Sequence, residues 1–297
     1  MAYSGDRFTT TNLDAVINEI WAPQVEREWQ ANLVFANFFT DVSDQYAGGG
    51  DNLNISGIYT NQLSAKTKSG GSEVTLQSAT MDSVTLSVDT WKEISFIFED
   101  FEAQLVLRNA KVAQEYADQA RYILAKALDS AIATALNAGL SASVGSDHDN
   151  LTDGIVRDAI EQVDADDIPM EEMAFFMHPT TVWHDLYGED KYYKYDRSTE
   201  ILTGNFGPYK RQPKMLYEIP VLKSSIVPKS TEIDNFLAHP KALAFAVVTP
   251  GGGVRSQAGY ERLKLGTVWI SDIIYGIKAL RTDAGVVIKS NTSGIVS

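Results

Sequence analysis

Residues 100–139 read DFEAQLVLRNAKVAQEYADQARYILAKALDSAIATALNAG, and this stretch decides the architecture. No Pro or Gly interrupts it before Gly139, and 11 of the residues from Phe101 to Ala138 are Ala, the strongest helix former. Asp100 stands as an N-cap, with Glu99 and Glu102 near the positive end of the helix dipole. A helix from 101 to 137 would run roughly 55 Å, at about 1.5 Å per residue. A compact globule of 297 residues has a radius of gyration of about 19 Å and a diameter of about 49 Å. The helix outruns the sphere. A flat or elongated subunit follows, one that completes its burial through neighbours.

Upstream, Leu13, Val16, Ile17, Ile20, Trp21, Val25, Trp29, Leu33 and Ala36 recur at helical spacing over residues 12–36, with Thr11 or Asn12 to cap the start. Pro23 predicts a kink or two short helices, and Gly48-Gly49-Gly50 ends the segment. This is an amphipathic arm with no second layer of its own. Residues 52–98 predict two long strands around a soft tip. Leu53, Ile55, Val84, Leu86, Val88, Ile94, Phe96 and Phe98 alternate with polar residues. The tip, Asn61–Ser72, is rich in Ser, Thr, Gly and Lys and carries Lys66 and Lys68. A lone hairpin is marginal in water, and this one has too little apolar content for its length, so it should lie on something else.

Downstream of Gly139 the texture changes. Residues 141–172 hold ten acidic side chains and one basic one, Arg157, around a helix expected over Asp153–Val163. Met173–Met177 predicts a strand, His178-Pro179 a turn and Thr180–Tyr187 a short helix. Further strands are expected at Ile219–Leu222, Leu243–Val248, Val268–Ile274, Ile277–Leu280 and Val286–Ile288, with a Gly-rich loop over 249–259. Helices and strands mix without βαβ regularity, which favours α+β over α/β. No repeat recurs at a fixed period.

At 44% hydrophobic and 22% charged residues, the composition is that of an ordinary folded protein. The length suggests two domains or one large one. Lys and Arg number 25 against 39 Asp and Glu, a net charge of −14. That argues against a broad phosphate-neutralising face. With no Cys, disulfide scaffolds, iron–sulfur clusters and thiol catalysis are excluded. Residues 1–8 lack the apolar stretch of a signal peptide. The longest apolar run, Ala242–Val248, is far short of the roughly 20 residues of a membrane helix. A soluble protein made inside the cell, with no membrane partner, is the expectation.

Little in the sequence marks out a chemical site. His178 and His184 lie near Asp185, but Pro179 separates them and the spacing is not that of a helical metal motif. Gly251-Gly252-Gly253 lacks the Lys-Ser or Lys-Thr of a phosphate cradle. Tyr187–Tyr217 interleaves aromatics, Tyr192 and Tyr193 among them, with Lys and Arg. Its acidic residues offset most of that charge, so packing against a neighbouring subunit is favoured over nucleic-acid stacking. No carboxylate pair and no Gly-x-Ser-x-Gly elbow stands out. The expectation is no enzyme, with no catalytic, cofactor or metal site.

Taken in order, the parts resemble the major capsid (coat) proteins of tailed bacteriophages, of the Hong Kong 97-type fold and closest to the P22-like branch. Ile20-Trp21-Ala22-Pro23-Gln24-Val25 with Asn32-Leu33-Val34 is similar to the N-terminal arm of that branch. Gly50-Asp51-Asn52-Leu53-Asn54-Ile55 resembles the start of the extended loop, and Phe101–Asn137 the spine helix. Ala174-Phe175-Phe176-Met177-His178-Pro179 and Leu216-Tyr217-Glu218-Ile219-Pro220-Val221 resemble the strand and turns of the axial domain. Ile274-Tyr275-Gly276-Ile277-Lys278-Ala279-Leu280-Arg281 with Ala284-Gly285-Val286-Val287 resembles the closing strands. Glu218 stands where Gly is common and His178 where Asn is common, so the backbone is expected to differ at both turns.

The resemblance implies an arm over 1–47, an extended hairpin loop over 48–98, a spine helix of the peripheral domain over 99–140, an axial domain over 141–260 and closing strands over 261–297. It implies a shell of pentamers and hexamers of this chain enclosing double-stranded DNA, assembled in the host cytoplasm and located in the virion capsid. The net charge agrees, because an acidic or neutral lining does not grip the duplex, and DNA would be contacted non-specifically at most. No fused scaffolding segment is recognised, so a separate scaffolding protein, or removal of such a segment, is expected, with a portal as partner and cement proteins as an option. Inter-subunit contacts are expected at Trp21, Trp29, Leu33, Lys66, Lys68, Tyr192 and Tyr193. Cross-linking is not claimed, because no partner Asn for the two lysines is identified. The rival expectations are an encapsulin-like nanocompartment and a tail-tube or other open helical subunit.

Overall fold

The Ala-rich stretch folds as one uninterrupted helix, α1 (Lys111–Gly139). The computed structural model describes residues 30–31, 33–46, 50, 52–57, 63–71, 73–78, 82–100, 111–146, 148–186, 215–250 and 253–292, so the start expected at 101–110 lies outside the described residues. Leu124, Leu128, Ile132 and Leu136 recur every four positions and, with Ala133, are buried along one stripe. Gly139 ends the helix where a Cβ would sit 2.7 Å from the Ala279 Cβ, so its role is to let a strand pass close by. A second helix, α2 (Asp153–Ala165), starts at Thr152, whose hydroxyl accepts the Ile155 N–H.

The described strands are β1 (Thr40–Asp41), β2 (Asn52–Gly57), β3 (Asp82–Ser87), β4 (Thr90–Glu99), β5 (Ala142–Gly145), β6 (Ala174–Met177), β7 (Met215–Leu216), β8 (Ile219–Lys223), β9 (Glu232–Ala238), β10 (Leu243–Val247), β11 (Arg255–Glu261), β12 (Gly266–Ala279) and β13 (Gly285–Asn291). One sheet has the order β1-β10-β12-β11, with β4 also on β12. Residues 266–272 of β12 pair with both β4 and β11, so these two strands lie on opposite edges. A six-stranded sheet has the order β5-β13-β9-β6-β8-β7, and β2 pairs with β3 alone.

The six-stranded sheet is apolar on both faces, the pattern of a sheet covered on both sides. Phe175, Met177, Leu237, Val286 and Ile288 pack with Val156, Ala159 and Val163 of α2. Ala174, Phe176, Phe236, Ala238 and Val287, one residue out of phase, join α1 and the other large sheet in the main core. Phe35 and Phe39 enter this core from upstream and stack on Phe176, with ring centroids 4.7 and 5.6 Å away.

Mixed helix and sheet is therefore the observed class, but several local expectations change. The helical reading of 12–36 fails at its described end, where residues 33–39 form a turn closed by the Phe38 and Phe39 N–H groups on the Phe35 carbonyl. Burial of Phe35 and Phe39, with Phe38 packed beside them, outweighs the local periodicity. The two long strands expected over 52–98 are three, because the chain breaks at Val88-Asp89 and β4 leaves the hairpin to pair with β12. Half of the loop expected over 249–259 is strand β11, and the two strands expected between 268 and 280 are one. Strand β9 was not expected at all. Its sequence, Glu-Ile-Asp-Asn-Phe-Leu-Ala, reads as too polar for a central strand, yet six of its seven residues are buried.

Candidate assembly surface

Residues 63–71 and 73–78 form a projecting loop beyond β2 and β3, exposed along its described length. One side chain clamps its two arms. The Ser64 N–H donates to Gln77 Oε1 at 3.0 Å, and Gln77 Nε2 donates back to the Ser64 carbonyl at 2.6 Å. Leu76 is 90% exposed, and Leu63 and Val74 are exposed with it. These apolar side chains have no core of their own, and Lys66 and Lys68 beside them reach into solvent. The base of the loop is fixed instead. Leu86 is fully buried, the Tyr46 hydroxyl donates to its carbonyl at 2.7 Å, and a Cβ on Gly276 would lie 2.2 Å from the Ser87 carbonyl oxygen.

The sheet of β4, β12 and β11 offers a second exposed surface. Trp91 is 69% exposed, with Ile270 also exposed on the same strand system. An ion pair sets this face: Arg255 donates from Nε and Nη2 to the two Asp272 oxygens at 2.8 and 2.6 Å, and Trp91 Nε1 donates to Oδ2 at 3.0 Å. The bidentate Arg255 holds the Asp272 carboxyl below the usual carboxylate range. At the β11–β12 turn, Leu263 is 94% exposed, and the Tyr260 hydroxyl donates to Asp100 at 2.7 Å.

The upstream segment is tied to α1 by a buried carboxylate. Asp129 is fully buried and accepts the Val34 N–H at 3.0 Å and the Ala36 N–H at 2.7 Å. Burial pushes its carboxyl above the usual range, against the pull of these backbone donors. Leu33 is half-buried and packs on the main core beside this anchor. Of the other residues expected at contacts between subunits, Trp21, Trp29, Tyr192 and Tyr193 lie outside the described residues. The described ones are not brought together: Leu33 lies at the core, and Lys66 and Lys68 lie on the loop.

The turn between β7 and β8 has Tyr217 at φ 50° and Glu218 at φ 68°. Glu218 thus adopts the left-handed conformation that glycine favours, so the turn keeps a glycine's geometry without the glycine. His178 Nδ1 accepts the Thr180 N–H at 3.1 Å and His184 Nδ1 lies 2.8 Å from Asp185 Oδ1, two separate local roles. Among the described residues, no group of three His, Asp or Glu side chains could hold a metal ion, and no helix is long and apolar enough to cross a membrane. Trp91, Leu263, Asp129 and the Arg255–Asp272 pair were missed by the sequence reading. Only Trp91 carried a signal, as a lone aromatic beside a strand of alternating pattern.

The fold is that of phage capsid structures. A structure from Mycobacterium phage Che8 matches at 19% identity and a TM-score of 0.72, covering 92% of this chain and 96% of that one. The capsid structure of cyanophage P-SCSP1u matches at 14% identity and a TM-score of 0.72, covering 96% of each chain. The asymmetric unit of the bacteriophage PhiM1 mature capsid matches at 15% identity and a TM-score of 0.69, covering 93% of this chain and 92% of that one. No protein-family model and no curated protein sequence matches.

Proposed function

We propose that this chain is the major capsid protein of a tailed phage, with the Hong Kong 97-type fold, and that copies of it close into the icosahedral head shell around double-stranded DNA. The observation that carries this reading is likeness over more than nine-tenths of both chains to the P-SCSP1u and PhiM1 capsid structures. The physical features support it. A loop with exposed Leu63, Val74 and Leu76, and a sheet bearing exposed Trp91, leave apolar surface that a second copy would cover. The net charge of −14 suits a container that must not grip its DNA. In this reading the loop between β2 and β3 reaches a neighbouring subunit, α1 with the sheet of β1, β4, β10, β11 and β12 builds the peripheral domain, and α2 with the six-stranded sheet forms the axial domain. A scaffolding protein, a portal and cement proteins belong to the same proposal, as does assembly in the host cytoplasm.

Electron microscopy of the purified protein tests it. Closed shells of phage-head size are expected. Small closed particles enclosing an enzyme would favour a nanocompartment, and open tubes a tail-tube subunit; either would overturn the proposal. Deleting Asn61–Ser72 should leave a soluble, folded chain that forms no stable shells, and normal particles from it would remove the loop from the assembly role.

A further inference from the structure

Three passages join the six-stranded sheet to α1 and the other large sheet: at 139–141 from α1 into β5, at 239–242 from β9 into β10, and at 280–284 from β12 into β13. These passages are stapled to one another. The Ser141 N–H donates to the Thr282 carbonyl at 2.9 Å, the His239 N–H to Ala284 at 3.0 Å, and the Leu280 N–H to Ala242 at 2.9 Å. At their centre His239 is 5% exposed. Its Nδ1 accepts the Lys241 N–H at 3.1 Å and caps the short turn Pro240–Ala242. Its Nε2 lies 3.3 Å from Glu172 Oε2, so the neutral ring carries its proton there and donates it to the carboxylate.

Beside the ring is a cavity of about 130 Å³ lined by Asp166, Asp167, Lys241 and Arg281, with Arg281 held by Asp283 at 2.8 Å. We propose that His239 is an acid-sensitive pin of the joint between the two sheets: neutral, it locks the Pro240–Ala242 turn against the 280–284 passage, and protonated, it releases that turn. A proton taken from solvent can go only to Nδ1, which then faces the Lys241 N–H donor to donor. The new charge also falls beside Lys241 and Arg281, with Glu172, Asp166 and Asp167 opposing in part. Burial holds the imidazole below its usual value, helped by Lys241 and Arg281 and resisted by Glu172. The sign follows. A histidine depressed in the folded state stabilises it above the ordinary imidazole range, and that contribution is lost as the pH falls through the range.

Amide hydrogen exchange of the full chain tests this at about pH 7.5 and about pH 5, either side of the ordinary imidazole value and corrected for intrinsic rates. Protection over 239–242 and 280–284 should fall by about threefold or more relative to β9 on acidification. His239→Asn keeps a side-chain oxygen that can cap the turn but does not titrate, so it should hold protection at both values. His178→Asn, at a half-buried histidine also held low by desolvation, should leave the acid effect intact. An acid loss that survives in His239→Asn, or vanishes in His178→Asn, overturns the proposal. So does the absence of any loss in the wild type. If His239→Asn does not fold, NMR titration of the wild-type ring decides, and a midpoint at or above the ordinary value overturns it.

Discussion

Asp129 is the side chain whose removal should loosen the upstream segment most. It sits fully buried on α1 and is the acceptor for two backbone N–H groups, Val34 at 3.0 Å and Ala36 at 2.7 Å. Asp129→Ala leaves both donors buried without a partner, at about 1–3 kcal/mol each. Relief of the carboxylate's own desolvation offsets part of that, so a net loss of about 3 kcal/mol is expected. Asp129→Asn preserves the shape and one acceptor oxygen but turns an amide donor towards the second N–H, for about 1–2 kcal/mol. Urea and thermal unfolding of the unassembled chain measure both, and limited proteolysis near residues 33–39 reads the release of the turn. The pH dependence supplies a further check. A carboxyl raised in the folded state, as burial raises Asp129, contributes stability at low pH and loses it as the pH rises through its folded value. Asp129→Asn should remove that slope. An Asn variant within about 0.5 kcal/mol of wild type, the range of an ordinary surface change, would refute the idea that this carboxylate holds the segment.

Ala120, 3% exposed in α1, separates two kinds of damage: Ala120→Pro should cost about 3 kcal/mol or more and Ala120→Gly about 1 kcal/mol. Aggregates or aberrant shells are expected from the first and near-normal shells from the second, and ordinary particles from the proline variant would mean that α1 is not one rigid element. Glu218→Gly should raise the melting temperature, since relief of a left-handed L-residue, worth about 1–2 kcal/mol, exceeds the added chain entropy of glycine at about 0.5–1 kcal/mol; a fall would show that the Glu218 side chain does more than strain the turn. Arg255→Ala should move the Asp272 carboxyl up towards its ordinary range. In the wild type this group, held low by Arg255, stabilises the fold above that range and loses its contribution as the pH falls through its lowered value. The acid limb of the unfolding curve should therefore flatten in the variant, and an unchanged limb would count against the pair.

What could be read along the chain was what local chemistry controls. An Ala-rich run free of Gly and Pro specifies a helix before anything else folds, and the polar tip with Lys66 and Lys68 has too little apolar content to be anything but exposed. The strands Met173–Met177 and Leu243–Val248 were legible for the same reason, as short apolar runs bounded by turns. Which strand pairs with which was not, because the partners are far apart in the sequence: β4 meets β12 across 181 residues at the Trp91–Asp272 hydrogen bond. Strand β9 is the clearest case. Asn235 is fully buried only because its side-chain oxygen accepts the His178 N–H at 2.9 Å and its amide reaches Thr181 and Ser290, while Asn137 donates to Asp234 at 2.8 Å. No local pattern could announce that the tertiary structure would give Asn235 those partners, and a polar residue without such partners belongs at the surface. The assembly surface divides the same way, since exposure of the loop follows from its own composition, whereas the burial of Asp129 and the place of Leu33 follow from segments that meet only after folding.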